Sequence, residues 1–374
     1  MKIHVSSPIV YPIDFLRISR ALLTREMSGY SKQYLPKFEA KFSEVSGTKF
    51  VSAVNSGTSA IYLALAALNL PKGTKVAVSS YTNMATFFPV LQLGLVPIPV
   101  DIELKNYNMS HIDLEKILDS SFGAIIVVHI FGNPARMDHI MKIADRFNLP
   151  VIEDCAEAHG AKFQGKSVGS FGIAGCFSFY ANKLIGMGEG GAISTNDENF
   201  NSKINDLRSL GFGKVNKFLH DSDGYNFRMT NIQAALGLSQ IAKLNSVIQK
   251  KKDIALAYNK ILEQNSALFK LPTIAKDREN VVWMYHLALI CGHSRCRDQV
   301  IIEMGKKGIE LRPGFIPYSD QGKVLLKFKT TARITPNASI AGASTFYLPT
   351  GTKLKMHQIK LVTNSLVDIA EKLH

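Results

Sequence analysis

Short apolar runs closed by small or polar residues alternate along this chain with stretches whose apolar positions recur every three to four residues. Residues 50–54, 75–78, 96–100, 124–128, 150–153, 174–179 and 192–195 read as strands. Helical spacing lies between and after them, near 58–68, 84–93, 111–119, 136–147 and 197–209. Such alternation predicts an α/β fold, a mostly parallel sheet covered by helices. From about Asn231 the period is helical throughout, carried by Ile232, Ala235, Leu236, Ile241 and Leu244 and then by Ile254, Leu256, Tyr258 and Leu262. Beyond it, a strand over 285–291, a helix over 296–307 and a strand over 309–312 predict a smaller α+β unit. The expected division is a large α/β domain over 1–240 and a linker helix with the small domain over 241–374.

Composition narrows the class. With 374 residues, 46% of them hydrophobic, the chain can build one large core and a smaller second one. No apolar run reaches the length of a membrane span, and Met1 to Pro8 lack the apolar core of a signal peptide, so a cytoplasmic protein without a membrane partner is expected. The four cysteines, Cys155, Cys176, Cys291 and Cys296, lack paired zinc-type spacing; they read as reduced thiols, and no metal site is expected. A formal net charge of +14 attracts polyanions, nucleic acid or small phosphorylated ligands. The basic residues are scattered, however, and the compact run Lys250-Lys251-Lys252 reads as a solvated helix face. With no nucleic-acid-reading motif beside it, the charge is expected to steer small anions and not nucleic acid.

Three segments carry candidate chemistry. In FSFYANKLIGMGEGGAIST, residues 177–195, Lys183 stands between an apolar β-like run and a glycine-rich turn, where an amine can be buried and aimed. A desolvated lysine loses its proton more readily and becomes a nucleophile toward an aldehyde. Earlier, Val151-Ile152-Glu153-Asp154 reads as a buried strand ending in acid, and ligands of open α/β sheets sit beyond the carboxyl ends of strands. Asp154 there either caps the next helix or keeps a pyridine nitrogen protonated, the electron sink of pyridoxal 5'-phosphate. The third segment is the strand 50–54 followed by Asn55-Ser56-Gly57-Thr58 and a helical pattern. Free N–H groups at such a helix start suit a phosphate, and Ser56 and Thr58 serve equally as caps.

Together these segments resemble the DegT/StrS family of pyridoxal phosphate-dependent nucleotide-sugar aminotransferases, and the likeness covers nearly the whole chain. It rests on Leu35 to Phe42, AVNSGTSAIYLAL (53–65), IEDCAEAHGA (152–161), SFYANK (178–183) and GYNFRMTNIQAALG (224–237). The resemblance implies the aminotransferase fold of type I, pyridoxal phosphate as cofactor, and a homodimer. It makes Lys183 the Schiff-base lysine and proton shuttle, pairs Asp154 with the pyridine nitrogen, and sets Glu157 near the cofactor's phenolic oxygen. Ala156 would pack on a ring face, and Ser56, Gly57, Thr58 and Ser178 would hold the phosphate. Asn226, with Arg228 near it, would reach the neighbouring subunit's cofactor. In one position the chain departs from the family: Asn83 follows Ser80-Tyr81-Thr82 where an aromatic residue usually stacks on the ring, so Asn83 is expected to lie against the ring as an amide.

In the second domain, Gly308 to Pro313 resembles the family segment whose arginine, here Arg312, lies near the nucleotide sugar; a structural salt bridge is the competing reading. Phe315, Pro317 and Tyr318 either line a pocket or belong to a core. The activity implied is transfer of an amino group from an amino acid, glutamate in the family, to a keto group of a nucleotide-linked deoxysugar. The SFYANK and GEGG wording is closest to members that aminate 4-keto-6-deoxyhexoses for surface polysaccharides, the perosamine-type synthases. A small keto phosphate as acceptor, a sugar dehydratase and a non-catalytic regulator are the alternatives. Family dehydratases replace the lysine with histidine, whereas this chain keeps Lys183, and a regulator would be expected to lose Lys183 or Asp154.

Overall fold

The structure is a computed structural model that describes residues 2–213, 216, 218–220, 222–273 and 275–373. Its centre is a seven-stranded sheet. In chain order the strands are β1 (Phe50–Val54), β2 (Lys75–Ser79), β3 (Val96–Val100), β4 (Phe122–Val128), β5 (Val151–Asp154), β6 (Ala174–Ser178) and β7 (Gly191–Thr195). They lie in the order β1-β7-β6-β5-β4-β2-β3. The pairs from β3 across to β6 are parallel, and β7 alone runs antiparallel to both its neighbours. The cause is local. Between β6 and β7 the chain returns without a helix, so it can only reverse direction, and that return carries Lys183. Central strands buried on both faces need continuous apolar sequence, as in Ile125-Ile126-Val127 of β4, all fully buried.

One expected helix divides in two. Over 84–93 the chain forms a 3-10 turn, Met84–Thr86, and then a short helix, Phe88–Gln92. Pro89 sits in the first turn of the second piece, where its missing N–H costs nothing, but it cannot donate back into a continuous helix. Asn83 caps the first piece, its Oδ1 accepting from the Ala85 N–H at 2.9 Å.

The smaller sheet is antiparallel, in the order Phe269–Lys270, Tyr285–Leu289, Thr345–Leu348, Arg312–Pro313. Its core takes Ile254, Tyr258 and Leu262 from the long helix Leu244–Leu262 and Ile359, Val362 and Leu366 from the helix Met356–Leu373. The first residues of the chain join this core. Ile3 is buried in it and bridges to Ile309, and Thr350 N–H donates to the Val5 carbonyl at 2.8 Å. That pairing shortens the strand expected over 309–312. Glu310 N–H donates to Ile3 O at 2.9 Å, leaving only Arg312 and Pro313 to pair within the small sheet. Among the described residues no helix is long and apolar enough to cross a membrane.

Candidate active site

Four sheet strands end at one cavity of about 380 Å³. Val128 closes β4, Asp154 closes β5, Ser178 closes β6, and β1 leads through Asn55 into Ser56-Gly57-Thr58; all of these but Asn55 line the cavity. A crevice beyond the carboxyl ends of parallel strands is where open α/β sheets bind ligands.

One wall is an anion cradle. Ser56 is the extended N-cap of the helix Gly57–Ala67, and its hydroxyl accepts from Ser59 N–H at 3.1 Å. The first intrahelical bond runs from Ala60 N–H to Ser56 O at 3.1 Å, so the N–H groups of Gly57 and Thr58 precede the helical ladder and face outward as donors. Glycine is required at 57 by close approach: a Cβ there would lie 2.7 Å from the Ser178 Cβ. Its absence sets the Ser178 side chain against the helix start.

A second wall is acidic. Asp154 is buried, its Oδ2 accepting from the Thr86 hydroxyl at 2.8 Å and its Oδ1 from Ala156 N–H at 3.1 Å. Burial pushes its carboxyl above the ordinary value, against the pull of those two bonds and of Lys183. Glu157, also buried, accepts from Phe131 N–H at 2.7 Å, and burial raises its carboxyl to about 7 although Lys183 opposes the rise.

Lys183 faces both acids. Its side chain is 12% exposed, and its Nζ stands 4.0 Å from Glu157 Oε1. Burial lowers the ammonium below the usual lysine range, and the charges of Glu157 and Asp154 only partly restore it. On another side, Nζ lies 3.9 Å from the centre of the Trp283 ring. That ring is fixed at both ends. Trp283 Nε1 donates to Asn182 O at 3.0 Å, and the Trp283 carbonyl accepts from Lys251 Nζ at 2.8 Å.

Lys251 corrects the solvated-face reading of 250–252. Its side chain is buried, and Nζ also donates to Thr350 O at 3.0 Å, tying the long helix to both ends of the segment behind the cavity. Burial without a carboxylate partner lowers this amine to about 7. Helical periodicity held the signal, since Val247, Lys251, Ile254 and Tyr258 share the buried stripe of the helix Leu244–Leu262.

Of the residues singled out in the sequence, Ser56, Gly57, Thr58, Asn83, Asp154, Ala156, Glu157, Ser178, Lys183 and Arg312 all line the one cavity. Arg312 is exposed at its edge, where its guanidinium binds Glu310 Oε1 through Nε and Nη2, both at 3.1 Å. Phe315 lines the cavity as well, while Tyr318 belongs to the core, stacked on Phe87 with ring centres 4.3 Å apart. Asn226 and Arg228 lie outside this lining. Asn226 is exposed and bridges to Ser209, and the Arg228 guanidinium covers the Tyr30 ring at 4.6 Å. The sequence reading missed Thr86 and Asn182, close in sequence to Asn83 and Lys183, and Trp283 and Tyr347 from distant segments, all of which line the cavity. Trp283, the chain's one tryptophan, was findable only as an unusual residue, since nothing in its neighbourhood points a hundred positions back to Lys183.

The donors fit a definite guest: two free N–H groups and a hydroxyl for a phosphate, a buried carboxylate for a ring nitrogen, and an amine whose ammonium burial disfavours for an aldehyde. Fold and cavity together define a pyridoxal phosphate-dependent aminotransferase. The chain belongs to the DegT/DnrJ/EryC1/StrS aminotransferase family, whose model matches residues 20–367. It is 38% identical over 285 residues to GDP-perosamine synthase of Caulobacter vibrioides, spanning 76% of this chain and 77% of that one. To the putative pyridoxal phosphate-dependent aminotransferase EpsN of Bacillus subtilis it is 34% identical over 290 residues, 76% of this chain and 74% of the other. Among solved structures, Helicobacter pylori PseC, an aminotransferase involved in the biosynthesis of pseudoaminic acid, superposes with a TM-score of 0.93 at 25% identity over all of both chains.

Proposed function

We propose that this aminotransferase moves an amino group from an amino acid, glutamate, to the keto group of a nucleotide-linked deoxysugar, a 4-keto-6-deoxyhexose destined for surface polysaccharide. The observation that carries the reading is the joint lining of one cavity by Lys183, Asp154 and the Ser56-Gly57-Thr58 helix start, with Arg312 exposed at its edge. The likeness to GDP-perosamine synthase supports the substrate class.

Pyridoxal phosphate, once bound, supplies an aldehyde carbon that condenses with amines and a ring that takes up an electron pair. In the proposal, the N–H groups of Gly57 and Thr58 and the hydroxyls of Ser56 and Ser178 hold its phosphate. Asp154 keeps a proton on the ring nitrogen. Burial raises its carboxyl, and the Thr86 and Ala156 bonds oppose that rise and aim it. Lys183, its ammonium disfavoured by burial, would attach the cofactor and then carry the proton that must leave one carbon and reach another. Glu157 would stand near the phenolic oxygen, Ala156 against one ring face, and Asn83, whose Oδ1 caps Ala85, against the other. Arg312 meets the nucleotide diphosphate, exchanging Glu310 for phosphate oxygens.

The proposal includes a cytoplasmic homodimer. Four free cysteines among the described residues suit a reducing compartment. Asn226 is exposed outside its own chain's cavity, which supports a role toward the other subunit's cofactor phosphate, and Arg228, two residues on, has its Nη1 buried without a hydrogen-bond partner. Exposed Phe15, Leu16 and Leu23 on the helix Pro12–Leu23 offer an apolar face for a second copy.

A single-turnover screen tests the substrate. Enzyme carrying the amino form of the cofactor is mixed with keto-sugar nucleotides and with small keto phosphates, and the return of the lysine-bound absorbance is followed. Return with a 4-keto-6-deoxyhexose nucleotide is expected; return only with small keto phosphates would overturn the acceptor assignment.

A further inference from the structure

The strand Tyr285–Leu289 turns into the helix Ser294–Lys306 through a tight loop whose reversal is made by Gly292, at φ +72°. The loop and first helical turn read Cys291-Gly292-His293-Ser294-Arg295-Cys296. The side-chain donor atoms of Cys291, His293 and Cys296 all lie within 4.8 Å of one another. None of the three lines the cavity around Lys183. We infer that these three residues form a binding site for a borderline-soft divalent cation, Zn²⁺, with the fourth position left to solvent.

The chemistry of the donors carries the assignment. Two sulfurs and one imidazole suit zinc and exclude the hard cations Ca²⁺ and Mg²⁺, which take oxygen ligands. Two thiolates also balance the ion's charge, which matters on a chain of net charge +14 that has no general attraction for cations. The helix start helps, because its dipole favours a thiolate at Cys296 in the first turn. His293 is the helix N-cap, and its Nδ1 accepts from Cys296 N–H at 3.4 Å. That contact is long, so a metal ion can take the lone pair at small cost. Both free thiols must give up their protons to bind zinc, so binding should weaken as pH falls.

Accessibility separates this cluster from the only other grouping of such residues among the described ones. His129, Glu153 and Cys155 are equally close but fully buried, and the histidine and glutamate atoms are already spent. Glu153 accepts from Gly169, Phe171 and Gly172 N–H groups, and His129 Nδ1 accepts from Ala135 N–H. Cys291 and Cys296 are half-buried and His293 is exposed, so an ion can enter. Nearby Arg297 is no obstacle. It is held by Asp298 and the Gly342 carbonyl. The sequence spacing hid the site, because histidine stands where a paired-cysteine pattern would have a third thiol.

The test uses the full-length, untagged holoenzyme, reduced and freed of metal, titrated with Co²⁺ and then Zn²⁺. One equivalent of cobalt should give a thiolate-to-cobalt charge-transfer band and tetrahedral d–d bands, and zinc should displace it. Cys291→Ser and Cys296→Ser should each abolish the charge-transfer band and His293→Asn, which keeps a capping side chain, should weaken binding at least tenfold. Transamination should be unchanged in all three. Absence of cobalt binding while a thiol reagent counts both cysteines as free would overturn the site, as would unchanged binding in Cys296→Ser. Loss of those two thiols on exposure to air, without metal uptake in the reduced protein, would instead make the pair a disulfide and likewise overturn it.

Discussion

The Nζ of Lys183 stands 3.9 Å from the centre of the Trp283 ring, on the edge of the cavity it shares with Asp154 and Glu157. The face of an indole favours the charged form of an amine, so Trp283 and the two acids oppose the desolvation that lowers Lys183.

Trp283→Leu keeps the site apolar but removes that attraction, roughly 0.5–2 kcal/mol for such a contact. At about 1.36 kcal/mol per pKa unit, the Lys183 amine should fall by about half a unit to one and a half. Acetylation of cofactor-free protein across a pH series, with Lys183 followed by peptide mass mapping, reads the shift. An unchanged or raised value would show that the ring acts only as a spacer.

Thr86 and Asp154 form a second pair. Asp154→Asn keeps the shape and removes the charge, so kcat should drop at least tenfold with little change in the donor KM. Thr86→Val removes a bond to the ionised carboxylate, which raises Asp154 further. In the proposed mechanism activity needs Asp154 ionised, so the acid limb of the rate profile should move to higher pH. A shift to lower pH, or none, would separate Thr86 from the function of Asp154.

Lys251 gives a stability prediction. Its folded value is about 7 and its ordinary value 10.5, so between these the unfolded chain binds the additional proton. Stability from this group therefore grows as pH rises through that window and is lost as pH falls toward 7. Lys251→Met should flatten this rise. It should also cost about 1–3 kcal/mol at high pH, since the Trp283 and Thr350 carbonyls lose their donor. Urea unfolding at neutral and alkaline pH checks both, and an equal pH slope in the two proteins would refute the buried-amine account.

Subunit exchange addresses Asn226. If it serves the neighbouring subunit's cofactor, mixing inactive Lys183→Ala with an inactive Asn226→Asp protein restores part of the activity, because one site of each mixed dimer receives both intact residues. Sedimentation confirms that mixed dimers formed. No recovery after confirmed exchange would return Asn226 to its own chain's site or to none.

What was legible in the sequence followed from local rules. Asp154 at a strand end, Gly57 at a helix start and Lys183 in a glycine-rich return each sit in a short segment whose pattern fixes both the element and its end. The seven main strands were visible for the same reason. Trp283 and Lys251 were not, because what matters about them is contact across the fold: a ring brought under an amine a hundred residues earlier, and a charge turned inward to meet two carbonyls. The broken helix over 84–93 was misjudged because apolar spacing outweighed Pro89, though the proline's missing N–H was there to be counted.

The bridge between Ile3 and Ile309 bears on how the chain is made. During synthesis, the first residues leave the ribosome about three hundred positions before the partner they pair with. At about 5–20 residues per second that wait is on the order of 15–60 seconds, in which Ile3 and Val5 have no core to enter. The seven-stranded sheet is complete by Thr195 and can form within that interval, whereas the small sheet must await Thr345–Leu348. Until Ile309 is made, Ile3 thus stays unpaired beside a seven-stranded sheet that can already be complete. A slow closing step in refolding should depend on the pairing of Ile3 with Ile309.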